Sequence, residues 1–140
     1  VMVVREFVSA AYPYKIDPKT VYESRRNEIP LNVASIKKAV LNYEKEYDIY
    51  VDCVQYPSMP SYDPRPWNSE ESGGFSTLGW QPDGDSRGSY AVQVTYDDDN
   101  FSMLDFTVIG LSDVDDDGYY ATYIATKSTD VTRITPDEVY

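Results

Sequence analysis

Ser89-Tyr90-Ala91-Val92-Gln93-Val94-Thr95-Tyr96 puts Tyr90, Val92, Val94 and Tyr96 on one side of an extended chain and Ala91, Gln93 and Thr95 on the other. That period of two marks a half-buried β-strand. Asp97-Asp98-Asp99-Asn100 then turns the chain, and Phe101 to Ile109 and Tyr119 to Lys127 read as two further strands. Short connections lay successive strands side by side in opposite directions, so this stretch predicts an antiparallel meander.

Upstream, Val33, Ile36, Val40, Tyr43 and Tyr47 recur three or four positions apart, while Lys37, Lys38, Glu44, Lys45 and Glu46 mostly occupy the other positions. This one-sided apolar stripe predicts a helix from Val33 to Tyr47 laid across the sheet, with Asn32 as its N-cap. A shorter helical piece is expected over Thr20–Asn27, ended by Pro30. Residues 1–19, with Pro13 and Pro18, read as a connector to a globular domain spanning 20–140. A short strand is expected around Ile49 to Val54 and a turn at Pro82-Asp83-Gly84, and the tail from Ser128 to Tyr140 has no clear pattern. The expected class is α+β, an N-terminal helix packed on a small antiparallel meander.

Composition narrows the function. At 140 residues the chain fits one domain, and its formal net charge of -12 argues against a nucleic-acid or anionic-membrane surface. Eight basic and seven acidic residues precede Ile49, against four and seventeen from Ile49 onward, so the second half carries the negative charge. The absence of histidine removes the usual general base and the commonest transition-metal ligand, which argues against classical hydrolases. Cys53 has no second cysteine to pair with and reads as a small buried apolar residue.

Two stretches are candidates for binding. Residues 56 to 74 form a long loop rich in proline and aromatic residues, in which Tyr62 and Trp67 could stack on a sugar or a partner's side chain, or pin the loop to the body. In Ser112-Asp113-Val114-Asp115-Asp116-Asp117-Gly118, Asp113, Asp115 and Asp117 alternate as hard oxygen ligands do in the first half of a calcium loop. The second half is missing, because Ile124 stands where a helix-loop-helix site needs its bidentate glutamate. The stretch is thus either a calcium turn of another fold or a solvated acidic hairpin.

From Tyr22 to Tyr140 the chain resembles the globular domain of a type IV pilin or type II secretion pseudopilin. The resemblance is carried by Ser24-Arg25-Arg26-Asn27-Glu28-Ile29-Pro30-Leu31-Asn32-Val33, Ile36-Lys37-Lys38-Ala39, and Tyr43-Glu44 leading to Tyr50-Val51. Further on come Phe75, Leu78-Gly79-Trp80-Gln81-Pro82-Asp83-Gly84, Arg87-Gly88-Ser89-Tyr90, Phe106-Thr107-Val108, the acidic loop and Ala125-Thr126-Lys127. The resemblance implies a long helix on a small sheet working as a non-catalytic structural subunit of a bacterial cell-envelope assembly. Such a subunit packs against other protein subunits, is periplasmic or extracellular, and is anchored to the inner membrane through an apolar segment, here expected upstream of Val1. It also implies calcium (Ca2+) beside the sheet, with Asp113, Asp115 and Asp117 as ligands. The family's processing signature is absent: Glu6 lies beside Arg5, and Pro13 and Pro18 interrupt the segment that should continue the helix. The alternative is an extracytoplasmic module that binds a glycan or peptide through the loop at 56–74.

Overall fold

A computed structural model describes residues 17–140. Most of the connector expected over residues 1–19, including Pro13 and the apolar opening, lies outside the described residues. Helix α1, Pro18–Arg26, starts where the Asp17 carboxylate accepts the Lys19 N–H at 3.0 Å and Pro18 occupies the first turn, which needs no N–H from it. Helix α2, Glu28–Tyr47, follows after Asn27, whose own backbone is helical. Pro30 has no N–H to offer the Arg26 carbonyl four residues back, and this accounts for the break between the helices.

The helix start expected at Val33, with Asn32 as its cap, is therefore corrected: α2 begins five residues earlier, at Glu28, with Pro30 inside its first turn. In that turn the missing donor would be unsatisfied by the helix anyway. Asn32 caps nothing and instead donates from Nδ2 to the Tyr90 hydroxyl at 2.9 Å. The buried stripe runs Ile29, Val33, Ile36 and Val40. Tyr43 is half-buried and Tyr47 exposed; their rings pack on each other with centroids 4.4 Å apart. Asp48, in the left-handed conformation, closes the helix by donating its N–H to the Glu44 carbonyl at 2.8 Å.

Among the described residues, five antiparallel strands lie in chain order: β1 Cys53–Tyr56, β2 Ser89–Tyr96, β3 Met103–Ser112, β4 Ala121–Thr126 and β5 Thr129–Arg133. This is the expected α+β arrangement, a helix on a meander. In register across the sheet stand Tyr90, Gly110 and Tyr123, then Val92, Val108 and Ala125. These rows, with Phe106 and Ala121, are buried facing α2. At Gly110 the helix packs against bare backbone, since a Cβ there would stand 2.5 Å from Val33 Cγ2 and 2.8 Å from Ile29 Cγ2.

Several boundaries move. The first strand begins at Cys53 rather than Ile49, and the strand expected from Phe101 begins at Met103 because Phe101 takes a positive φ of 59°. A five-residue helix, α3 Gly74–Leu78, stands ahead of the expected turn. The tail is ordered: β5 completes the sheet, and Tyr140 is buried. Arg26 holds it there, its guanidinium donating to the carbonyls of Asp137 at 2.8 Å and Val139 at 2.7 Å. Among the described residues, no helix is long and apolar enough to cross a membrane.

Candidate metal centre

The acidic loop joins β3 to β4, and buried groups at its base decide its shape. Val114 is fully buried, so the run of aspartates is pinned at an apolar residue that faces inward. The Val114 N–H donates to the Tyr140 carbonyl at 3.2 Å, and the Ser112 hydroxyl donates to the same oxygen. Asp116 and Gly118, at φ 57° and 82°, take the left-handed conformations that fold the loop back. For Gly118 that conformation carries no steric cost; an aspartate tolerates it better than most residues.

Asp113 organises the turn. Its Oδ1 accepts the Asp117 N–H at 3.1 Å, its Oδ2 accepts the Gly118 N–H at 3.2 Å, and its carbonyl accepts the Asp116 N–H at 3.1 Å. Asp117 Oδ1 accepts the Tyr119 N–H at 2.9 Å. One carboxylate oxygen from each of Asp113, Asp115 and Asp117 lies within 4.8 Å of the others. Two oxygens bound to one calcium ion at about 2.4 Å can be up to about 5 Å apart, so this spacing fits that ion. Three carboxylates would leave several of its six to eight positions to backbone carbonyls or water.

The electrostatics of the cluster favour taking up a positive charge. Burial, then the Asp117 and Asp113 carboxylates beside it, pushes the Asp115 carboxyl up to about 6. Asp115 Oδ1 is buried with no hydrogen-bond partner among the described residues. Asp113 is also raised, burial outweighing the two backbone N–H groups that favour its charged form. A calcium ion would neutralise this repulsion and lock the turn. The convergence of Asp113, Asp115 and Asp117 was legible as an alternation of aspartates; the inward Val114 among them was a local sign of how the loop is seated.

The two aromatic candidates are placed apart in role. Trp67 is half-buried among Tyr56, Phe75 and Trp80, with ring centroids 4.7, 5.5 and 5.3 Å away. Trp80 continues this cluster to Tyr90 and donates its indole N–H to Ser35 Oγ at 2.9 Å. Trp67 thus ties the loop at 56–74 to the body. Tyr62 is exposed, with the Arg25 guanidinium 5.5 Å from its ring centre. The loop is further held where Arg65 and Ser86 exchange backbone hydrogen bonds of 3.0 and 2.8 Å.

Comparison with protein-family models, with curated proteins and with solved structures found no match to this chain.

Proposed function

We propose that this chain is a non-catalytic structural subunit of a bacterial cell-envelope assembly, pilin-like or pseudopilin-like, that packs against other protein subunits on the extracytoplasmic side. The observation that carries the reading is the asymmetry of the fold. Helices α1 and α2 follow one another almost without a break from Pro18 to Tyr47, and α2 lies along one face of the meander. The other face is left with half-buried Ile109, Leu111 and Ile124 among threonines. Such a face, with Leu31 and Val54 exposed elsewhere, suits packing against neighbours. The acidic loop fits the same role, a calcium ion on Asp113, Asp115 and Asp117 stiffening a connection between strands rather than doing chemistry.

Fractionation and electron microscopy of native material, with in-cell crosslinking, test the proposal. The chain should sediment with the envelope and crosslink to other subunits. Recovery solely as a free monomer without a membrane tether would overturn it.

A further inference from the structure

Of the five asparagines in the chain, Asn100 alone is followed two residues later by serine or threonine, in Asn100-Phe101-Ser102, with no proline between. That triplet is the acceptor sequence for N-linked glycans, and it is usable only where a transferase can reach it. Here it occupies the tip of the β2–β3 hairpin, and all three residues are exposed. The tip is closed beneath them by the Asp97 N–H donating to the Ser102 carbonyl at 2.8 Å and the Phe101 N–H donating to the Asp97 carbonyl at 2.9 Å.

The side chains are also arranged for the chemistry. Asn100 Oδ1 accepts the Ser102 N–H at 3.0 Å, a local turn that brings the carboxamide and the serine together. Among the described residues no hydrogen bond engages Asn100 Nδ2 or Ser102 Oγ, the two groups the transfer requires. Phe101, 76% exposed, adjoins a groove of about 550 Å³ lined in part by Ile49, Met103 and Leu104. The groove also holds charged Glu44, Asp48 and Lys127, so a glycan starting at Asn100 would meet apolar side chains with its C–H faces and charged ones with its hydroxyls.

We infer that Asn100 is an acceptor for an N-linked glycan, carried at the exposed tip of the β2–β3 hairpin. The co-reactant is an oligosaccharide linked to a polyisoprenyl pyrophosphate. Asn100 Nδ2 attacks the anomeric carbon, and the N–C bond forms as the bond from that carbon to the pyrophosphate oxygen breaks. Polyisoprenyl pyrophosphate leaves with the bonding pair, and the amide proton passes to a carboxylate of the transferase. The inference rests on the extracytoplasmic placement proposed above, because the transfer takes place on that side.

The test offers the purified, folded chain and a lipid-linked oligosaccharide to a purified oligosaccharyltransferase, and reads the intact mass and the glycopeptides. One glycan should appear on Asn100 and none on Asn27, Asn32, Asn42 or Asn68. Asn100→Gln and Ser102→Ala should abolish it and Ser102→Thr should retain it, with circular dichroism matching the parent in each. A folded parent chain left unmodified overturns the inference, as does modification that survives Ser102→Ala undiminished. Enzyme and donor are supplied, so the result is independent of where the cell keeps the protein; failure of the envelope reading would appear in fractionation instead.

Discussion

The Arg26 guanidinium lies 4.9 Å from the centre of the Tyr140 ring, joining the break between α1 and α2 to Tyr140 at the far end of the sequence. The same group donates to the carbonyls of Asp137 and Val139 and is salt-bridged to Asp137 at 3.4 Å, an aspartate it shares with Arg133. A buried arginine costs desolvation, which here is offset because Nη1 donates to both carbonyls while Nη2 reaches the Asp137 carboxylate, a set that needs the whole planar group. The Tyr140 carbonyl in turn receives Ser112 and Val114, so the base of the acidic loop depends on this clamp.

Arg26→Ala should therefore destabilise the fold by about 3 kcal/mol, because two carbonyls lose a charged donor and a buried space opens. Arg26→Lys should recover only part of that, since an ammonium lacks the planar fork. Urea unfolding of the three chains checks this; equal stability would show that the Arg26 clamp contributes nothing to the fold.

Gly110→Ala should cost about 1–3 kcal/mol by forcing α2 off the sheet. The added methyl would stand 2.5 Å from Val33 Cγ2. Val33→Ala in the same chain should remove part of the clash, so the double variant should be more stable than the sum of the two losses implies. A double-mutant cycle by thermal unfolding measures the coupling.

Trp67→Ala should lower stability by about 2–3 kcal/mol through loss of the aromatic cluster around it. Trp67→Phe should cost less than about 1 kcal/mol, since it keeps an aromatic ring and removes an indole N–H that is buried without a partner among the described residues. If both variants unfold with the parent, the loop at 56–74 is not held by this side chain.

Calcium should raise the melting temperature, and Asp115→Asn should reduce that gain. In chelator the sign reverses: at pH 7 Asp115→Asn should stabilise the chain, because it removes a repelled charge. The Asp115 carboxyl is raised to about 6 from an ordinary value of 3.8, so between these values the folded chain holds a proton that the unfolded chain has released. Stability of the metal-free chain should thus rise as pH falls from about 6.5 to about 4 through this group. Asp115→Asn should flatten that rise, as thermal melts across the range would show. An unmoved melting curve on calcium titration would mark the loop as a solvated hairpin.

Cys53 should resist alkylation in the native state. Burial, and then the neighbouring Asp52 carboxylate, pushes its thiol up to about 12, which leaves a thiolate fraction on the order of 10⁻⁴ at pH 8. Iodoacetamide should modify it only after denaturation, and mass spectrometry distinguishes the two states.

Local periodicity was enough to foresee the strand at Ser89–Tyr96, the meander and the helix ending at Tyr47, because each depends on neighbours a few residues away, but not the strand's burial: Ser89 and Ala91 are buried beside Tyr90 and Val92, and Tyr96 is exposed. The aspartate alternation likewise marked the three carboxylates that converge. The rest needed partners distant in sequence. Whether Pro30 ends a helix or sits in its first turn was decided by where Ile29 could be buried, and Ile29 packs where Gly110 has no side chain. Whether Trp67 faces a ligand or the core was decided by Phe75 and Trp80. The tail showed no pattern because what orders it is the pairing of β5 with β4 and the hold of Arg26, 113 residues away from Val139. A short segment carries no local trace of contacts made at such range; only closing the chain on itself brings the two ends together.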